Sequence, residues 1–162
     1  MSLCTDHNIC INNALQQAEL ICQNKGERLT ALRRKVLELI WENHNPAKAY
    51  DIMDKLGDTV GSAKPSTVYR TLDFLLKNKF IHKLNSLNSY VGCAHPCHYE
   101  HCYFLICQSC GEVTECCDDK LSCSIASTAN ENKFTSQNIA LEIEGHCQNC
   151  TRKTHKAGKD KH

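Results

Sequence analysis

Apolar positions recur at helical spacing over residues 8–25, where Ala14, Leu15, Ala18, Ile21 and Cys22 share one side and Gly26 stops the run. Thr30 is placed to cap a second helix, along which Leu32, Val36, Leu39 and Ile40 form an i, i+4, i+7, i+8 stripe. Residues 43–46 end it. A short helix over 49–56 turns Ile52, Met53 and Leu56 inward, and residues 57–63, with two glycines, read as a loop. Pro65 then suits a helix start, where its missing N–H costs nothing. Val68, Leu72, Leu75 and Leu76 make the apolar face of that helix, and Ser66, Thr67, Tyr69, Arg70 and Asp73 fall largely on the other. After Lys79 the period changes. Residues 80–84, a turn at 85–88 and residues 89–91 read as a β-hairpin. Three helices, the last polar at its start, followed by a hairpin, predict a winged helix-turn-helix, with the final helix in the major groove and the hairpin beside the backbone. The same pattern also suits a small helical core that never meets DNA.

The second half is patterned differently. Residues 93–104 are rich in Cys, His and aromatic side chains and predict a hinge followed by a strand, and Val113 continues the β pattern. Leu121, Ile125 and Ala129 at i, i+4 and i+8 predict a helix over 118–132. Ile139, Leu141 and Ile143 alternate with Ala140, Glu142 and Glu144, as in a half-exposed strand. From Thr151 onward the chain is polar and basic and reads as a disordered tail. The expected fold class is therefore α/β (α+β): a winged-helix DNA-binding domain over residues 1–91, a hinge and small α/β domain over 92–150, and a basic tail over 151–162.

Charge sharpens this division. The chain of 162 residues carries a net charge of only +1, but residues 1–92 carry +3, residues 93–150 carry −6 and residues 151–162 carry +4. Ordinary surface variation or a nucleic-acid module joined to a metal domain fits that asymmetry equally. The first residues have no basic region followed by an apolar run, and no stretch approaches membrane-spanning length. With thirteen cysteines and nine histidines, and no secretory signal, metal binding is expected over disulfide pairing.

The cysteines supply the chemistry. Cys107-Gln-Ser-Cys110 and Cys147-Gln-Asn-Cys150 are two Cys-x-x-Cys pairs separated by 36 residues, enough for a strand, a helix and a strand between them. Four thiolates in two such pairs are what a tetrahedral structural zinc takes. Redox dithiols are the alternative, but such a pair usually opens a helix after a strand, whereas the first pair follows Tyr103-Phe104-Leu105-Ile106 and leads into Gly111-Glu112-Val113, as in a turn between strands. Other donors cluster upstream: His82, Cys93, His95, Cys97, His98, His101, Cys102 and then Glu115. Such a set suits zinc better than calcium or magnesium, although spacing alone does not fix which His donates. His98-Tyr99-Glu100 before Cys107 superficially matches a zinc deaminase, but the gap is short, no Pro precedes Cys107, and a closed tetrad leaves no open coordination position. No phosphate loop or nucleophile elbow is present. The chain is expected to be no enzyme, with no small-molecule substrate and no membrane partner.

Ala63-Lys64-Pro65-Ser66-Thr67-Val68-Tyr69-Arg70-Thr71-Leu72-Asp73-Phe74-Leu75 resembles the recognition-helix signature of the ferric uptake regulator family. Arg28-Leu29-Thr30-x-x-Arg33 resembles the segment before its second helix, and Leu105-Ile106-Cys107-x-x-Cys110-Gly111 the start of its dimerisation domain. Phe80-Ile81-His82-Lys83, Asn88-Ser89-Tyr90-Val91 and Cys93 are similar to its zinc-responsive branch. The resemblance covers roughly residues 14–150. It implies a bacterial, cytoplasmic, zinc-responsive repressor: a homodimer on double-stranded operator DNA, with two zinc sites per chain. Carried over by position, it implies Cys107, Cys110, Cys147 and Cys150 as structural zinc ligands and His82, Cys93, His101 and Glu115 as sensing ligands. Tyr50 and Arg70 would contact DNA, with Ser66, Thr67 and Tyr69 on the same exposed stretch. The segment between Cys93 and Cys107 departs from the family in length. His98 is the alternative to His101, and Glu100 lies at the family distance before Cys107. Cys97, Cys102, Cys116, Cys117 and Cys123 have no family role, which leaves buried thiols, a third zinc site or redox-sensitive positions. Within the family the rivals are sensors of iron, peroxide or nickel; outside it, a zinc-storage or redox protein.

Overall fold

The computed structural model describes residues 7–42, 45–60, 64–96, 102–137 and 139–157. The chain divides into two compact units, Met1–His98 and Tyr99–His162.

The first unit begins with α1 (His7–Asn24), α2 (Ala31–Trp41), α3 (Ala49–Val60) and α4 (Pro65–Lys77). Gly26 takes a positive φ of 68° just past α1, and the Thr30 side chain caps α2 by accepting the Arg33 N–H. The apolar stripes converge as expected: Leu15, Val36, Leu37, Ile40, Ile52, Leu56, Val68, Leu72 and Leu75 form one buried core. The hairpin β1 (Ile81–Leu84) and β2 (Ser89–Gly92) pairs antiparallel with His82 opposite Val91. The segment between α2 and α3 adds a third rung, because Ala47 and Tyr90 exchange backbone hydrogen bonds at 2.8 Å. Gly92 is needed for packing: a Cβ there would fall inside the Trp41 indole.

α3 is longer than its pattern predicts. It runs through Gly57 to Val60 instead of ending at Leu56. A helix-interior glycine costs only about 1 kcal/mol relative to alanine, and the buried Ile52 and Leu56 anchor the preceding turns.

The second unit holds β3 (Cys102–Cys107), β4 (Val113–Cys117), α5 (Asp119–Glu131), β5 (Leu141–Gly145) and α6 (Gln148–Ala157). Its sheet has the order β4-β3-β5, with β3 antiparallel to β4 and parallel to β5. Asp118 caps α5 by accepting the Lys120 N–H at 2.8 Å. Residues 151–157, expected to belong to a disordered tail, are helical. The Cys147 carbonyl accepts the N–H groups of Cys150 at 3.0 Å and Thr151 at 3.0 Å, so the second Cys pair itself turns the chain into α6. The expectation of metal in place of disulfides also needs amending: Cys102 and Cys117 are disulfide-bonded. No helix among the described residues is long and apolar enough to cross a membrane.

Candidate metal centre and nucleic-acid interface

The sulfurs of Cys107, Cys110, Cys147 and Cys150 all lie within 4.8 Å of one another. Cys107 ends β3, and Gly111, with a φ of 74°, lets the chain reverse into β4. Its N–H donates to the Cys107 carbonyl at 2.9 Å. The second pair arrives because β5 runs parallel to β3 and brings Gly145 opposite Cys107. The junction is pinned by the Gln108 N–H on the Gly145 carbonyl at 2.8 Å and by the Gln108 side chain on Glu144 at 2.8 Å.

The donor set suits a dication. The Cys147 N–H donates to the Cys107 sulfur at 3.3 Å, and that bond, with others from the Cys110 and Ser109 backbone, lowers the Cys107 thiol to about 6. Hydrogen bonds with the Cys147 and Cys110 thiols, followed by burial, push Cys150 up to about 12. Cys107 favours its thiolate while the neighbouring thiols hold the proton on Cys150, and a bound dication would favour the thiolate at both. The Cys110 and Cys147 sulfurs are 3.8 Å apart, and a tetrahedral zinc with Zn–S of about 2.3 Å separates its sulfurs by roughly the same distance. Zinc therefore fits these four residues.

Of the expected sensing ligands, His82 sits on β1 and Cys93 directly follows β2, and their ligand atoms lie within 4.8 Å of each other. Cys93 is buried, and its N–H donates to the Phe80 carbonyl at 2.9 Å. Glu115 is half-buried on β4, where a carboxylate oxygen lies within 4.8 Å of the sulfurs of Cys102 and Cys117. His101 lies outside the described residues, as do Cys97, His98 and Glu100.

The exposed face of α4 carries Ser66, Thr67, Tyr69 and Arg70, while Val68, Thr71, Leu72 and Leu75 are buried behind it. Tyr50, in the first turn of α3, is 68% exposed. A helix anchored along one side and polar on the other can lay hydroxyls and a guanidinium against a groove.

The Cys102–Cys117 pair is not among the pairings expected from the sequence. A signal for it was present. Once residues 107–112 are the turn, antiparallel register sets Cys102 opposite Cys117 and Tyr103 opposite Cys116.

A winged-helix unit followed by a small sheet bearing a tetracysteine cluster defines a two-module, metal-dependent class of DNA-binding regulator. The chain belongs to the ferric uptake regulator family, whose model matches residues 24–144. It is 39% identical over 139 residues to the zinc uptake regulation protein of Escherichia coli K12, covering 84% of this chain and 80% of that protein. It is 29% identical over 140 residues to the ferric uptake regulation protein of the same strain, covering 84% and 87%. Among solved structures, a zinc uptake regulator complexed with zinc and DNA matches with a TM-score of 0.81 and 36% identity, over 90% of this chain and 97% of that one. Holo XcZur matches with a TM-score of 0.81 and 37% identity, over 87% and 99%.

Proposed function

We propose that this chain is a zinc-responsive transcriptional repressor that binds operator DNA as a zinc-loaded homodimer in the bacterial cytoplasm and controls genes of zinc uptake and homeostasis. The relatives named for zinc uptake regulation and the neighbour solved with zinc and DNA support this reading. The observation that carries the choice of metal is the Cys93 sulfur within 4.8 Å of a His82 ring nitrogen. A thiolate beside an imidazole favours zinc over harder-ligand Fe(II).

In this reading each chain holds two zinc ions. Cys107, Cys110, Cys147 and Cys150 hold a structural one. His82 and Cys93 are donors to a second, more exchangeable one, with Glu115 and His101 assigned by family resemblance. Zinc supplies no reaction here. It neutralises the donors and fixes their geometry, which biases a two-state dimer toward one spacing of its recognition helices. DNA selects that spacing because two half-sites must be met together. Tyr50, Ser66, Thr67, Tyr69 and Arg70 meet the DNA, and Arg70 offers either a base edge or a phosphate a planar donor.

One titration tests this. Operator affinity is measured against buffered free zinc for the wild type, Cys93→Ser and Arg70→Ala. Wild-type affinity should rise with zinc. Serine stays protonated where a thiol ionises on the metal, so Cys93→Ser should keep one tightly held zinc and its dimer but lose the rise. Arg70→Ala should keep both zinc ions and bind operator more weakly by about 1–3 kcal/mol. Superimposable wild-type and Cys93→Ser curves would remove Cys93 from the sensor. A zinc-replete wild type with no sequence-specific DNA binding would favour a zinc-storage or redox protein.

A further inference from the structure

Three of the cysteines left without a family role lie on the β3–β4 pair. Cys102 and Cys117 are directly opposite in the antiparallel register, with Cα atoms 4.3 Å apart, and the structure joins them as a disulfide. Alternation along each strand sets Cys102 and Phe104 on one face of β3, and Glu115 and Cys117 on the matching face of β4. Cys116, opposite Tyr103, belongs to the other face. Both bonded cysteines are half-buried, and within its sheet β4 is an edge strand, so small solutes can reach the pair. The Cys117 sulfur is 3.7 Å from Glu115 Oε1. At that distance a thiol donates its proton to a carboxylate, and a disulfide sulfur has none to give.

We propose that Cys102 and Cys117 form a reversible thiol–disulfide site, with low-molecular-weight disulfides and thiols as its reaction partners, and that closing it loosens zinc by altering the surroundings of Glu115. The second half of this statement rests on the assignment of Glu115 to the exchangeable zinc. In the closing reaction, one thiolate attacks a sulfur of the small disulfide, breaking its S–S bond and releasing one small thiol. The second cysteine then attacks the mixed disulfide, forms the Cys102–Cys117 bond and releases the second small thiol. The protein loses two electrons and two protons, and the small disulfide gains them. Reduced, the pair gives Glu115 a hydrogen-bond donor and two neighbouring sulfurs. Oxidised, it provides neither the proton nor a thiolate. Outer contacts of this kind orient a ligating carboxylate, and their loss weakens metal affinity by about 10–100-fold.

The test uses the full-length protein, reduced and zinc-loaded, with excess oxidised glutathione as the probe. Free thiols are then blocked and the cross-links mapped by mass spectrometry, while a competing chromophoric chelator reads the affinity of the second zinc. One cross-link, Cys102–Cys117, is expected, reversed by dithiothreitol. The second zinc should weaken by about tenfold or more, and the tightly held zinc should stay. Cys117→Ser and Cys102→Ala should each abolish both responses, and Cys116→Ser should keep them. Cross-links between other cysteines, or glutathione left attached at Cys102 or Cys117, would overturn the thiol–disulfide site. An oxidised protein with unaltered zinc affinity would overturn the coupling. A reduced protein that takes up no second zinc would instead sink the sensing assignment, and the coupling with it. The cross-link map judges the cysteine pair independently.

Discussion

The two units are held together by different means. In the first, helices α1 to α4 and the hairpin bury one continuous apolar cluster from Leu15 to Tyr90. In the second, Phe104, Ile106 and Cys107 are the buried hydrophobic side chains among the described residues, and α5 buries none. Leu105 and Ile143 remain 41% and 46% exposed on neighbouring strands, and Phe134 is 65% exposed. A domain this small, with so little apolar burial, needs covalent, metal or subunit contacts to be stable. The tetracysteine cluster brings the β3–β4 turn to the start of α6, and the disulfide joins β3 to β4. The lesson is functional. A unit with little core of its own is suited to being completed by metal or by a partner, while a unit with its own core can present a rigid helix to DNA.

The largest effect should come from breaking the clip. Cys150→Ser removes a ligand from a site whose metal contributes on the order of 10 kcal/mol in small zinc modules. The variant should lose its tightly held zinc, unfold its second unit and dissociate to monomers, as read by metal analysis and sedimentation. A variant that stays dimeric with its zinc would refute the tetracysteine assignment.

A core truncation should separate the units from the opposite direction. Leu72 is 1% exposed in the first unit's core. Leu72→Ala should cost about 2–5 kcal/mol, lowering the urea midpoint of that unit while the structural zinc stays bound. Loss of zinc on this substitution would mean that the two units do not keep separate sources of stability.

A smaller effect belongs to a polar pin at the end of α4. Asn78 is 2% exposed; its side chain donates to Glu27 at 2.7 Å and to the Phe74 carbonyl at 3.2 Å, and accepts from Lys25 at 3.0 Å. Asn78→Ala should cost about 1.5–3 kcal/mol, the usual worth of a hydrogen bond to a charged group, here the Glu27 carboxylate. The Asn78 hydrogen bond, and after it the Lys77 charge, lowers the Glu27 carboxyl below its ordinary range. A carboxyl depressed in the folded state stabilises above its unfolded pKa, and that contribution is lost as pH falls through the folded value. Glu27→Gln should therefore lower the first unit's stability at neutral pH and flatten its acid limb, the difference from wild type closing as pH falls. An acid limb identical to wild type would separate Glu27 from this network.

Much of the first unit was legible because its elements obey local rules. Thr30 as a cap, Pro65 at a helix start and the change of period after Lys79 each mark a boundary with a physical cause, and the structure follows all three. The four-sulfur cluster was legible from spacing, since two Cys-x-x-Cys pairs leave few other uses for four thiols. The extension of α3 past Gly57 was not legible, because a glycine signals a loop while neighbouring turns decide whether it remains helical. Nor was α6, whose residues show no apolar stripe and whose start is set by the turn at Cys147. The Cys102–Cys117 bond depended on strand register, which pattern alone does not supply until the turn is placed.

Hydrogen exchange on the wild-type dimer, before and after zinc is stripped by a strong chelator under reducing conditions, tests the contrast most directly. The account predicts that amides over the core of the first unit, from Leu15 to Tyr90, keep their protection, while those of β3, β4, α5 and β5 lose theirs together. Equal loss in both units, or a second unit whose protection survives without zinc, would contradict it.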